Sequence, residues 1–139
     1  MSGSQRSVAA RWDGGLRAVV RAGDFDLVVD EPSTAGGSGT GPQPTDLFLA
    51  SVASCFLLAL LYAAGKAGIE LPGLEVQATG TYAGLQFARV DLAVSSAIPA
   101  KLLEPLVPVA ERVCYVTNTL REVPVLGIQV AGLDTPPLA

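Results

Sequence analysis

The chain of 139 residues contains no histidine. Histidine is the general base of Ser-His-Asp and Cys-His sites, so both kinds of nucleophilic apparatus are excluded. Imidazole is also the commonest metal ligand, and the only two cysteines, Cys55 and Cys114, are far apart in the sequence. We therefore expect neither a metal site nor a cofactor.

Charged residues are also scarce, at 16% of the chain with a net charge of −4. No basic cluster is present, so we expect no binding to nucleic acid. Half of the residues are hydrophobic, which is apolar for a soluble monomer. A compact core and a surface buried by a second subunit both explain this composition. We favour the second explanation, because obligate dimer interfaces resemble a protein core.

Two cysteines are too few for the disulfide scaffold of a small secreted protein. The first six residues lack an apolar signal segment. We therefore expect a cytoplasmic location. In that compartment a persistent structural disulfide is disfavoured, and a transient disulfide is usually catalytic or redox-sensing.

Residues 47–65 form a long run without charge, which is long enough to be considered as a membrane span. Ser51 and Ser54 lower its hydrophobicity, and Lys66 is the only basic residue that flanks it. A segment rich in glycine and proline comes directly before it. We predict a buried central helix and no association with membranes.

The first third of the chain predicts a small antiparallel sheet. Strands at 7–12 and 16–21 flank Asp13-Gly14-Gly15, a strong hairpin signal, and a third strand follows at 25–29. Residues 31–44 form a loop that is longer than a simple connection in a compact domain requires, so we expect it to have a structural or functional role. The central helix is predicted over about 45–67, with Thr45 as its N-cap and Asp46 in its first turn.

The remainder predicts two strands at 74–82 and 86–95, a helix at 101–112, a short helix at 115–122 and a last strand at 123–130. Pro105 and Pro108 are awkward inside a helix, so the helix at 101–112 begins late or is kinked. The strands occur in hairpin groups that are separated by helices. This order predicts a single α+β domain over residues 1–139 with antiparallel sheet.

The two thiols are the best candidates for chemistry, since the glycine-rich loop at 36–41 lacks the Gly-Lys-Ser/Thr ending of a phosphate-binding loop. Cys55 could also be an inert core residue, because burial is common for free cysteine and raises the pKa of a thiol. A reactive thiolate would need a cation beside it. Spacing alone favours none of the four candidate arginines, which are Arg11, Arg17, Arg21 and Arg112.

An ordered set of short motifs runs through nearly the whole chain and resembles the OsmC/Ohr family of osmotically inducible and organic hydroperoxide resistance proteins. The motifs are WDGG at 12–15, LVVDEP at 27–32, GG at 36–37, GPQP at 41–44, DLFLA at 46–50, ASC at 53–55, KAGI at 66–69, LEV at 74–76 and CYVTNTL at 114–120. The ordered set is far more specific than any one of its pieces.

The resemblance implies an intertwined α+β homodimer, with packed central helices and two active sites at the subunit interface. It also implies a thiol peroxidase in which Cys55 is the peroxidatic cysteine and Cys114 the resolving cysteine. The substrate would be an organic hydroperoxide, and a dithiol such as a lipoyl group would be the reductant. A dimer with weak catalysis that binds a hydrophobic ligand or senses redox state is the alternative, and a structural dimer without redox chemistry is a third possibility.

The chain departs from this family at one position. The best-characterised hydroperoxidases carry a glutamate ten residues before the first cysteine, paired with an arginine that activates the thiol. Thr45 occupies that position here, and Asp46 follows it. Asp46 matches the acidic position of a less characterised OsmC-like branch, although a plain first-turn helix charge also explains it. Arg17 lies near the arginine region of the family, so we assign Arg17 and Asp46 to the predicted site.

Overall fold

The computed structural model describes residues 3–136, so residues 1–2 and 137–139 of the predicted domain lie outside the described residues. Its first sheet contains β1 (Ala9–Trp12), β2 (Arg17–Ala22) and β3 (Phe25–Asp30), antiparallel and in that order. The turn between β1 and β2 contains Gly14 and Gly15, both at positive φ, a conformation that glycine adopts without steric cost. The predicted hairpin and third strand therefore form.

The loop after β3 is fastened to the sheet by Asp30, which is 1% exposed. Its carboxylate accepts hydrogen bonds from the Thr40 hydroxyl at 2.6 Å, the Thr40 amide at 3.1 Å and the Ser38 amide at 3.4 Å. The loop packs so closely that a Cβ on Gly37 would overlap the Glu31 carbonyl. These contacts bring the chain to the start of the long helix in a fixed position.

The long helix, α1, spans Pro44–Ala67 and ends at Gly68 in the left-handed conformation. The predicted cap at Thr45 is wrong, because Gln43 is the N-cap residue and Pro44 is the first helical residue. Proline is pre-organised for that position, where its missing N–H costs nothing. By length and composition α1 could cross a membrane, and 33% of the most apolar window is buried inside the fold. Six residues form its buried face: Val52, Phe56, Ala59, Leu60, Ala63 and Ala64.

A second antiparallel sheet, formed by β4 (Glu75–Ala83) and β5 (Gln86–Ser95), packs on α1. The predicted helix at 101–112 is two helices, α2 (Ala100–Leu103) and α3 (Leu106–Val113), which are divided at Pro105. The short helix α4 spans Tyr115–Arg121. The core cluster joins α1 to these helices and consists of Phe56, Ala59, Leu60, Ala63, Ala64, Leu71, Leu103, Leu106, Ala110 and Cys114. The fold is therefore α+β with antiparallel sheets and a long helix, as predicted.

The predicted last strand at 123–130 is wrong for the single chain. Residues 123–136 contain neither helix nor strand, and every one of them is exposed. A β-strand forms only where a neighbouring strand accepts its backbone hydrogen bonds, and within residues 3–136 no strand lies beside this segment. Within 123–130, five apolar side chains are more than 80% exposed: Val123, Val125, Leu126, Ile128 and Val130.

Candidate functional site

The fold brings Cys55 and Cys114 together. Cys55 lies on α1 at the edge of its buried face and is partly exposed, whereas Cys114 belongs to the core cluster and is 0% exposed. Both are free thiols, and Cys55 packs against the core cluster that contains Cys114. Each cysteine is among the groups that shift the pKa of the other, so the two side chains are neighbours.

The local backbone explains where Cys114 points. Cys114 is the single extended residue between α3 and α4, with φ −84° and ψ 106°, so it ends one helix and precedes the next. The Thr117 hydroxyl donates a hydrogen bond to the Cys114 carbonyl oxygen at 3.4 Å.

These surroundings shift the pKa values of the two thiols in opposite directions. Burial raises the pKa of Cys55, and its hydrogen bond to Cys114 raises it further, against the opposing amides of Val116 and Tyr115. Burial also pushes the pKa of Cys114 upward. The hydrogen bonds from Thr117, Cys55 and Val116 outweigh that burial, so the pKa of Cys114 is lowered.

Arg17 lies apart from the cysteines in the single chain. It begins β2, where its Nε lies 2.9 Å from Asp13 Oδ2 and its Nη1 donates to Thr40 Oγ1 at 3.3 Å. The Nε–H is buried and is not directed at the Asp13 oxygen well enough for a hydrogen bond, so the contact is an ion pair only. No arginine is among the groups that shift the pKa of Cys55.

Asp46 also lies apart from Cys55. It is exposed in the first turn of α1, nine residues before the cysteine. At about 1.5 Å and about 100° per residue, that spacing places the two roughly 13 Å apart along the helix and on opposite sides of it. Its position matches a carboxylate that complements the positive end of the helix. Thr45, the residue before it, accepts a hydrogen bond from Tyr82 at 2.9 Å.

A groove of about 690 Å³ lies between α1, β5 and the helices α3 and α4, and neither cysteine is among its lining residues. Val52 and Phe56, which are close to Cys55 along α1, line it together with residues of β5 and with Thr117. Its other apolar lining residues include Phe87, Leu92, Val94, Val107 and Leu120. Two ion pairs stand along it, Arg121 with Glu111 at 2.5 Å and Arg89 with Asp91 at 2.8 Å. The groove is suited to an aliphatic or aromatic group.

Sequence reasoning did not find Thr117 as a member of this site. The residue is 8% exposed, its hydroxyl donates to the Cys114 carbonyl oxygen, and it lowers the pKa of the Cys114 thiol. A signal was present, because a hydroxyl residue three positions after an extended residue at the start of a helix has the spacing of a capping interaction. This spacing could be recognised only once the structure showed that α4 begins at Tyr115.

The family model described as "OsmC-like protein" matches residues 37–128, which contain both cysteines and all the lining residues of the groove. The chain belongs to the OsmC-like protein family. The long helix and the two antiparallel sheets described above are therefore the architecture of an OsmC-like protein, as the comparison with solved structures also shows.

Two solved structures illustrate the similarity. A putative organic hydroperoxide resistance protein from Vibrio cholerae, with captopril bound in one of its active sites, is 32% identical, covers 88% of this chain and 89% of its own, and has a TM-score of 0.68. A putative osmotic stress induced and detoxification response protein from Psychrobacter arcticus is 22% identical, covers 84% and 89%, and has a TM-score of 0.72. The second supports the OsmC-like fold alone.

A protein from Haloferax volcanii that is described as uncharacterized is also similar in sequence. It is 28% identical over 136 residues, which cover 95% of this chain and 98% of that protein. The OsmC-like chain thus matches nearly the full length of this relative.

Proposed function

We propose that the protein is a thiol-dependent peroxidase that reduces organic hydroperoxides and serves in defence against oxidative stress. The proximity of the partly exposed Cys55 to the buried Cys114 carries this proposal. The partly exposed Cys55 can contact a substrate, and the neighbouring Cys114 can then react with the oxidised Cys55. The similarity to an organic hydroperoxide resistance protein supports the same reaction.

The proposed cycle uses the two sulfurs in turn. The Cys55 sulfur attacks the terminal oxygen of the hydroperoxide, the S–O bond forms, the O–O bond breaks, and an alcohol leaves. Cys55 is then a sulfenic acid, oxidised by two electrons. Cys114 attacks that sulfur and releases water, which leaves a Cys55–Cys114 disulfide. An external dithiol, such as a lipoyl group, reduces this disulfide by thiol–disulfide exchange. A reducing compartment such as the cytoplasm would suit that last step.

The groove favours an alkyl or aryl hydroperoxide over hydrogen peroxide. Its apolar walls would bury the hydrocarbon part of the substrate, and burial of apolar surface contributes about 25 cal/mol per Å². Hydrogen peroxide has no such part and gains nothing from these walls. The preference would therefore appear as a higher kcat/KM for the larger hydroperoxide.

The direct test is consumption of cumene hydroperoxide by the purified protein in the presence of a dithiol. Wild-type protein should turn over, and Cys55→Ser should lose essentially all activity because the attacking sulfur is gone. Hydrogen peroxide at the same concentration should react more slowly. Turnover by Cys55→Ser equal to that of the wild type would end this proposal.

We further propose that the working unit is a homodimer. One side of α1 is unpartnered in the single chain and carries Leu58, Leu61 and Tyr62, which are 63%, 45% and 50% exposed. These residues lie one turn apart along the helix, so they form a continuous apolar strip. An apolar strip of this kind on a soluble protein indicates a protein–protein contact.

The carboxy-terminal segment supports the same assembly. Residues 123–130 are exposed and mostly apolar, and the outer edge of β5 is unpaired within residues 3–136. An unpaired strand edge accepts an added strand through main-chain hydrogen bonds. The segment of a second copy would therefore gain the neighbouring strand that it lacks in its own chain.

Arg17 and Asp46 stay predictions within this proposal. Neither lies beside Cys55 in one chain, so each would have to act from a second copy at the subunit interface. The absence of a cation among the groups that shift the pKa of Cys55 favours the alternative function, a catalytically weak dimer that binds an apolar ligand or senses redox state. Slow peroxide reduction together with stabilisation of the dimer by apolar molecules would identify this alternative.

A further inference from the structure

Four charged side chains line the groove within residues 3–136, and they are paired with one another. Glu111 on α3 faces Arg121 at the end of α4, and Glu111 Oε2 accepts a hydrogen bond from Arg121 Nη2 at 2.5 Å. On β5, both carboxylate oxygens of Asp91 accept from Arg89 Nε at 2.8 Å. The groove therefore carries two positive and two negative charges and no net charge.

The charged pairs stand at the rim of the groove, and apolar side chains form its interior. All four charged side chains are more than a third exposed, whereas Val52 and Phe56 are buried. These two apolar residues lie on α1 within one turn of Cys55. A ligand in the groove would therefore place its hydrocarbon part on α1 and β5, and a polar end that reaches the rim would lie beside the ion pairs.

The pairing of the two arginines decides which polar ends the rim accepts. An unpaired arginine beside an apolar groove would bind the carboxylate of an amphipathic ligand, because a guanidinium donates two parallel hydrogen bonds to a carboxylate. Here Asp91 and Glu111 already take that place, so a ligand carboxylate would meet two like charges. An uncharged ligand meets no such repulsion. The net charge of −4 on the whole chain acts in the same direction.

We propose, as an extension that rests on the proposed peroxidase function, that Glu111 and Asp91 make the groove selective for uncharged hydroperoxides over hydroperoxides that carry a free carboxylate. The uncharged class contains alkyl, aryl and esterified hydroperoxides. In this arrangement the apolar walls supply the affinity, and the two acids supply the discrimination. Glu111 contributes more than Asp91, because its side chain is 38% exposed against 49% and solvent screens its charge less.

Octanamide and octanoate test this selectivity without any peroxide, since they have nearly the same shape and differ in charge. Isothermal titration calorimetry at neutral pH and low ionic strength should give a lower Kd for octanamide than for octanoate on wild-type protein. Glu111→Gln removes one negative charge and leaves Arg121 without that partner. The ratio of the two affinities should then shift toward octanoate by about two- to fivefold, the scale of an exposed ion pair.

Asp26→Asn is the matched control for the change in net charge. It also breaks an exposed ion pair, with Arg21 at 3.2 Å, but it lies on β3 and does not line the groove. Its ratio of affinities should equal that of the wild type. A wild-type ratio in Glu111→Gln, or an equal shift in Asp26→Asn, would overturn the proposal. So would a wild-type protein that binds octanoate more tightly than octanamide, or that binds neither.

The hydroperoxides of linoleic acid and of methyl linoleate extend the test to the reaction. Wild-type protein should have the higher kcat/KM for the ester, and Glu111→Gln should narrow that difference by about two- to fivefold. A wild type that prefers octanamide but consumes neither hydroperoxide would refute the proposed function and leave the selectivity of the groove standing. Equal kcat/KM values for the acid and the ester in the wild type would refute the selectivity and leave the peroxidase intact.

Discussion

Tyr82 donates a hydrogen bond to Thr45, with 2.9 Å between the two hydroxyl oxygens, and this bond ties the end of β4 to the first turn of α1. Phe87 on β5 packs beside it, 4.6 Å from the Tyr82 ring and 6.0 Å from the Phe48 ring on α1. Thr45 occupies the position where the best-characterised hydroperoxidases carry a glutamate. In this chain Thr45 therefore forms a neutral hydrogen bond that supports the fold, and no ion pair.

Tyr82→Phe tests that contact. The substitution removes the hydroxyl and keeps the ring against Phe87, so the free energy of unfolding should fall by about 0.5–1 kcal/mol. Urea denaturation measures the difference. Tyr115→Phe is the control, because Tyr115 is 85% exposed, and its stability should stay within about 0.5 kcal/mol of the wild type. Equal losses in both variants would show that the Tyr82 bond does not stabilise the fold.

Much of this fold could be predicted from the sequence wherever a single local rule applied to a segment. Asp13-Gly14-Gly15 predicted a hairpin correctly, since glycine supplies the positive φ values that the turn requires. Thr45 predicted a helix cap wrongly, because Pro44 fits the first helical position and starts the helix one residue earlier. The preference for threonine at an N-cap and the preference for proline at the first helical position competed there. The sequence alone did not show which of the two would prevail.

Asp30→Asn should make the stability of the protein less dependent on pH in acid. The Thr40 hydroxyl and amide, with smaller help from Ser38 and Glu31, lower the pKa of the Asp30 carboxyl below its ordinary 3.8 against the opposing effect of burial. A depressed pKa in the folded state means that the unfolded chain binds more protons in acid. The stabilisation is therefore complete above about pH 4 and is lost as the pH falls through the folded value.

Urea denaturation between neutral pH and about pH 3 measures this effect as the stability difference between wild type and Asp30→Asn. The difference should narrow as the pH falls. Asp26→Asn is the matched control, because Asp26 makes only an exposed ion pair with Arg21 at 3.2 Å, and such pairs contribute little. A difference for Asp30→Asn that stays constant with pH would contradict the assignment.

Leu58→Asp should dissociate the proposed homodimer. The side chain is 63% exposed in the middle of the apolar strip of α1, so a charge there costs the single chain little but would be buried without a partner in a dimer. Sedimentation equilibrium measures the oligomeric state. Leu85→Asp is the control, since Leu85 is 106% exposed on the turn between β4 and β5, away from the strip. A Leu58→Asp protein with the mass of the wild-type assembly would exclude this strip as the interface.

The segment at 123–130 shows why part of the fold was beyond sequence reasoning. Its apolar pattern predicted a strand, but strand formation depends on a partner edge and not on the segment alone. The cysteines show the same limit, because 59 positions separate Cys55 from Cys114 and no spacing rule joins them. The family resemblance paired the two thiols, and only the structure showed that Cys114 precedes α4 and that the Thr117 hydroxyl donates to its carbonyl oxygen.

Cys114→Ser should accumulate overoxidised Cys55 when the hydroperoxide is in excess. Without a second sulfur, the sulfenic acid on Cys55 cannot close a disulfide, so a further hydroperoxide molecule converts it to sulfinic acid. Mass spectrometry of the intact protein should show the addition of two oxygen atoms in Cys114→Ser. Wild-type protein should instead lose two hydrogen atoms on disulfide formation. Cys55→Ser should show neither change, because the thiol that remains is 0% exposed. A Cys114→Ser protein that stops at the sulfenic acid, or that gains no oxygen, would show that Cys114 does not protect Cys55.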